Sequence, residues 1–182
     1  MGLKELNDFK DIKDFIRYFI IDDENLFKVI YYSDSLALQN DLPDTPYEIF
    51  IPSSSHGCVL FRRKNDVVLS EESVNILVTL YDVPYGNSKE YSSTFIDISI
   101  ICKGVNVQEL EDKTDRSAYI SYLIDNNLNQ ARINGSLIKR ESYKPIPLNE
   151  ENSGYQIIYS CTNFSYDYLA NKNIQKQIRG EF

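Results

Sequence analysis

Two runs near the middle of the chain restrict its fold more than any other feature. Asn75 to Tyr81, NILVTLY, and Thr94 to Cys102, TFIDISIIC, are both rich in β-branched and aromatic residues. Side chains of this kind pack well on a pleated, half-buried surface, so the runs predict two partnered strands. Their connection, Val83 to Ser93, is eleven residues long, whereas a hairpin loop needs about two to five. It is therefore expected to be more than a turn.

The rest of the chain supplies helices before this pair and further strands after it. Leu6, Phe9, Ile12, Phe15, Ile16, Phe19 and Ile20 recur at spacings of three and four between Lys and Asp residues, the pattern of an amphipathic helix. Phe9, Ile16 and Phe19 are expected to bury it against a sheet. Asp22-Asp23-Glu24 reads as the start of a second helix, because carboxylates satisfy free amides there, and Leu26, Phe27, Ile30 and Tyr31 continue it. A polar loop over 33–46, broken by Pro43 and Pro46, leads to strand candidates at Tyr47 to Ile51 and Gly57 to Phe61. Ile120, Leu123, Ile124 and Leu128 mark one face of a later helix with a Thr or Asp cap. Asn134-Gly135 predicts a turn before a strand over Ser136 to Tyr143, and YQIIYSCTNF, Tyr155 to Phe164, predicts the last strand.

These elements predict an α+β fold: a mostly antiparallel sheet packed by an N-terminal helix pair and one central helix. The expected organisation is a single domain over 1–164 and a C-terminal arm over 165–182. The arm lacks an apolar stripe and carries Lys172, Lys176 and Arg179 against Asp167 and Glu181, a net +1. The chain has 182 residues, within the usual reach of one core, and no repeat of fixed period divides it.

Charge and composition exclude several function classes. Asp and Glu outnumber Lys and Arg 27 to 19, for a net charge of -8, so phosphate backbones and anionic lipid are repelled overall. No apolar run approaches the ~18 residues of a membrane span, and MGLKELNDFKDIKDF lacks the stretch of a secretory signal. That predicts a chain made in the cytoplasm. Cys58, Cys102 and Cys161 lie far apart in apolar sequence and read as buried thiols rather than as a disulfide or metal set. The 14 Tyr against no Trp suit a wet-edged core or a protein interface.

Catalytic chemistry finds little to work with. No two of the seven glycines lie closer than 18 residues apart, which excludes the clustered glycines of phosphate-cradling loops. His56 is the only histidine and sits in SSSHG, Ser53 to Gly57, where an exposed turn is expected. Asp22 to Glu24, Glu71-Glu72, Glu109 to Asp112 and Glu150-Glu151 follow no calcium-loop pattern and read as caps and solvated turns. Arg62-Arg63-Lys64 reads as a solvated hairpin end. No catalytic, cofactor or metal residue is assigned.

From Asn75 to Phe164 the succession of NILVTLY, the loop VPYGNSKEYSS, TFIDISIIC, the helix SAYISYLIDNNL, INGSLIKR and GYQIIYSCTNF resembles the tail terminator and head-to-tail joining (neck) proteins of tailed bacteriophages. That resemblance implies a structural, non-enzymatic subunit of the virion, assembled in the host cytoplasm into an oligomeric ring, a hexamer among the sizes open. Its implied partners are copies of itself and neighbouring tail-tube or connector proteins, with DNA only as passing cargo and no membrane. Long loops and arms reach neighbours in such families, which places partner contacts at Tyr85, Gly86, Asn87 and Tyr91 in the loop and at Tyr166, Tyr168, Lys172, Lys176 and Arg179 in the arm. Two other classes compete. An acidic inhibitor mimicking DNA would need carboxylates in rows on one face, and an enzyme would need a site outside the known patterns.

Overall fold

The computed structural model describes residues 3–53, 55–61, 72–84, 92–133, 136–146 and 152–162. The predicted N-terminal stripe forms helix α1, Leu3–Asp22. Ile12, Ile16, Phe19 and Ile20 are at most 5% exposed, and Phe9 is half-buried. Three- and four-residue spacing thus turns one side of α1 into core.

Asp23 ends α1 and begins helix α2, Glu24–Tyr31, in one residue. Its extended backbone turns the chain, and its Oδ1 accepts the Leu26 N–H at 3.0 Å, satisfying one amide left open at a helix start. The same carboxylate accepts the Asn127 side-chain amide at 3.1 Å. Asn127 belongs to helix α3, Arg116–Leu128, whose own cap is Asp115: Oδ1 accepts the Ala118 N–H at 2.9 Å. Ile120, Ile124 and Leu128 of α3 are fully buried.

Among the described residues six strands, β1 Cys58–Leu60, β2 Ser73–Pro84, β3 Ser92–Lys103, β4 Arg132–Ile133, β5 Ser136–Pro145 and β6 Asn152–Thr162, form one mixed sheet in the order β1-β2-β3-β6-β5-β4. The fold is α+β as expected. β2 and β3 pair antiparallel along their full length, from Ser73 opposite Lys103 to Pro84 opposite Ser92. They run past both ends of NILVTLY and TFIDISIIC, so the connection between them narrows to residues 85–91. Among these strands β1 alone runs parallel to its neighbour, with Cys58, Val59 and Leu60 opposite Asn75, Ile76 and Leu77.

The Tyr47 to Ile51 strand expectation was wrong. Pro46–Phe50 is a 3-10 helix, with Pro46 at its start and the Ile51 N–H bonded to the Glu48 carbonyl at 2.8 Å. Proline fixes φ near the helical value and lacks an N–H, which suits the first helical position and removes a ladder donor. That local preference outweighs the β-leaning composition of YEIF.

Side chains alternate across a strand, and here the two sheet faces differ sharply. Val74, Ile76, Val78, Ile96, Ile98, Ile100, Cys102, Ile138, Ile157, Tyr159 and Cys161 share one buried cluster with α1, α2 and α3. Burying each large side chain contributes roughly 1.5–3 kcal/mol. The other face carries a small buried group, Cys58, Leu60 and Leu77 with Ile101 against it, and otherwise mixes apolar and polar residues. Tyr81 stacks on Phe95 at 5.6 Å, and Gln156 Nε2 donates to both Asp97 carboxylate oxygens at 3.0 and 2.9 Å. The Ser165 to Phe182 arm lies outside the described residues.

Candidate functional site

The partner-contact residues Tyr85, Gly86, Asn87, Tyr91, Tyr166, Tyr168, Lys172, Lys176 and Arg179 all lie outside the described residues. So do Glu71, Glu150, Glu151 and the Arg62-Arg63-Lys64 cluster.

Other candidates fall within the described residues and are absorbed locally. His56 is half-buried rather than exposed: its ring stacks on Tyr31 at 4.5 Å, and its Nδ1 lies 2.9 Å from the Gly57 carbonyl. The Ser53 and Ser55 hydroxyls bond each other at 2.9 Å, so these sequence neighbours build a turn. Glu24 pairs with Lys28 and Glu109 with Lys113 along the chain. Asp112 accepts the Thr114 amide, and hydrogen bonds from Thr114 hold its carboxyl below the usual carboxylate range. Among the described residues no group of three or more His, Cys, Asp and Glu could hold a metal ion.

Two polar clusters tie helices to sheet or loop. Tyr159, fully buried, donates to Asp125 Oδ1 at 3.1 Å, and Arg140 reaches Asp125 Oδ2 at 2.6 Å. Burial and then the Asp125 charge push the Tyr159 phenol up. At the other end of α3, Arg116 is 0% exposed. Its Nη1 donates to the Tyr32 carbonyl at 2.6 Å and its Nη2 to the Asp34 carbonyl. Tyr32 caps the C-terminus of α2, where a cation complements the helix dipole. Burial lowers the Arg116 guanidinium from its ordinary value.

The three cysteines are free and buried. Burial pushes the Cys102 thiol from 9.0 up to about 12, against the opposing pull of Arg116. A raised acid pKa means that the folded state keeps a proton the unfolded chain gives up, so the contribution is complete below pH 9 and is lost toward pH 12. Stability should therefore fall with a slope of about 1.4 kcal/mol per pH unit from Cys102 over that window, with Tyr159 adding to it above its ordinary 10.0. Urea unfolding at pH 8, 9, 10 and 11 measures this. Stability unchanged from pH 9 to 11 would contradict the burial of both groups.

A groove of about 750 Å³ is lined by Asp14, Arg17, Tyr18, Ile21, Asp22, Tyr47 and Phe50. Tyr18 and Tyr47 stand 67% and 71% exposed, unusual for two aromatics on one concave surface. Arg17 is folded inward, its guanidinium 4.9 Å from the Phe61 ring centroid and 5.8 Å from that of Phe50. It also pairs with Asp14 at 3.1 Å. The sequence reading missed this groove because α1 and the Pro46–Phe50 turn meet only in the folded chain.

Together these features define a small α+β fold with helices on one sheet face and the exposed aromatics Tyr18 and Tyr47 beside α1. The chain belongs to the YomW family, whose family model matches residues 23–161, from the cap of α2 into β6. That family is phage-derived and of Bacillus, which makes the chain a phage-associated protein. No curated protein matches the chain.

Proposed function

We propose that the chain is a structural subunit of a phage particle, placed in an oligomeric ring at the tail or head-to-tail junction. The observation that carries this reading is the uneven covering of the sheet. Its second face presents Tyr81, Val83, Phe95, Ile158 and Leu137, exposed or half-buried, with no described helix over it. Open apolar surface of this kind suits contact with other protein chains. Membership of a phage-derived family supports the same reading. The DNA-mimic alternative is weaker, because Asp23, Asp97, Asp115 and Asp125 are engaged by bonds within the chain.

Mass spectrometry of purified particles tests the proposal: the chain should be present in a fixed small copy number. Its absence from particles would refute the virion role. Within this reading residues 85–91 make a subunit contact. Replacing them by a two-residue turn should keep the β2–β3 ladder and the melting temperature while abolishing particle incorporation. Normal incorporation would make the loop a passive connection.

A further inference from the structure

We infer that the pocket between the 33–40 loop and the turn at 110–113 receives a lysine side chain of a neighbouring protein chain. The inference rests on the assembly reading above for the kind of partner, and the pocket itself supplies the chemistry. Its volume is about 160 Å³. A small-molecule site takes about 300 Å³ or more, so this one suits a single side chain.

The two walls come from distant parts of the chain and are tied together by hydrogen bonds. The Glu111 N–H donates to the Ser35 carbonyl at 3.0 Å, and Gln39 Nε2 donates to Glu111 Oε2 at 2.5 Å. Arg116, fully buried, holds the Tyr32 and Asp34 carbonyls at the start of the loop, and the Lys113 N–H closes the turn on the Leu110 carbonyl at 2.9 Å. The pocket is therefore formed before anything enters it. Leu36, Leu38 and Leu110 line it. Leu110 is buried, whereas Leu36 and Leu38 stand 45% and 38% exposed, apolar surface of the kind that another chain covers.

The polar groups beside these leucines select a cation. Glu111 and Asp112 both line the pocket, and no Lys, Arg or His is among its lining residues. Lys113 is turned to Glu109 at 3.4 Å with its side chain 82% exposed, and the Arg116 guanidinium is spent on backbone carbonyls. A carboxylate only accepts, so Gln39 presents its amide N–H to Glu111 and keeps its own oxygen as a further acceptor. Three acceptor groups thus face an ammonium that carries three donors. The four-carbon stem of a lysine lies along the leucines while its charged end meets the carboxylates. An arginine fork would need both oxygens of one carboxylate, and Glu111 already gives one to Gln39 and Asp112 one to the Thr114 N–H.

Amide-resolved NMR of the full chain tests the inference, with n-butylammonium as the probe, because it is a lysine side chain without its backbone, and 1-butanol as the uncharged match. Butylammonium should give saturable shifts centred on Leu36, Leu38, Gln39, Leu110 and Glu111, and added salt should weaken them. The alcohol should bind about fivefold more weakly, and E111Q/D112N should lose about the same factor for butylammonium, the scale of an exposed ion pair. Both amides keep the oxygen that Gln39 or the Thr114 N–H uses, so the melting temperature of the variant should hold. Shifts absent from the pocket, equal for the alcohol, or unchanged in the variant overturn the inference and leave the virion role standing. Absence of the chain from particles removes that role, and the titration still decides the pocket.

Discussion

Gly57→Ala is expected to leave no natively folded protein. Gly57 donates its N–H to the Tyr31 carbonyl at 2.9 Å and leads directly into β1. A Cβ there would lie 1.8 Å from the Ile30 carbonyl oxygen and 2.7 Å from that of Val74. Both obstacles are backbone, one at the end of α2 and one in β2, so relief requires moving an element rather than a rotamer. The expected cost exceeds about 4 kcal/mol, among the largest single-residue effects. Circular dichroism and urea unfolding of the purified variant check this, and a variant within 1 kcal/mol of wild type would mean that α2 and β2 do not approach so closely.

Arg116→Met is expected to destabilise the fold by about 3 kcal/mol, because truncating one partner of a buried charged hydrogen-bond set strands the others. Methionine has a similar length and keeps the packing, but the Tyr32 and Asp34 carbonyls lose their donors. Arg116→Lys should recover only part of the loss, since a single ammonium cannot fork to two carbonyls as a guanidinium does. Urea unfolding of the two variants decides the matter. Equal stability of Met and Arg at this position would show that the loop after α2 is held by other contacts.

Both residues show what kind of information the chain carries locally. Gly57 opens a predicted strand next to the expected turn at His56, and Arg116 precedes the apolar face of the predicted central helix. Nothing within a few positions of either announces burial. What surrounds Arg116 is the α2–loop corner at 32–34, over eighty residues earlier. The groove was hidden for the same reason: Tyr18 falls outside the apolar spacing of the predicted first helix, and Tyr47 inside a predicted strand, until α1 and the Pro46–Phe50 turn are placed side by side.

Local chemistry was enough for the three helices, whose apolar spacing needs no partner to be recognised, and for the caps Asp23 and Asp115, whose bonds span three residues. The same holds for β2, β3 and β6, whose β-branched runs suit only a pleated surface, and for the three buried cysteines. Tertiary structure alone decided the parallel pairing of β1 with β2, the bulge in β5 that brings Lys139 and Lys144 to one face, and the exposure of Tyr18 and Tyr47. Those features depend on which distant segments meet. Spacing along the chain reports the face a residue belongs to, and the folded sheet and helices determine what that face meets.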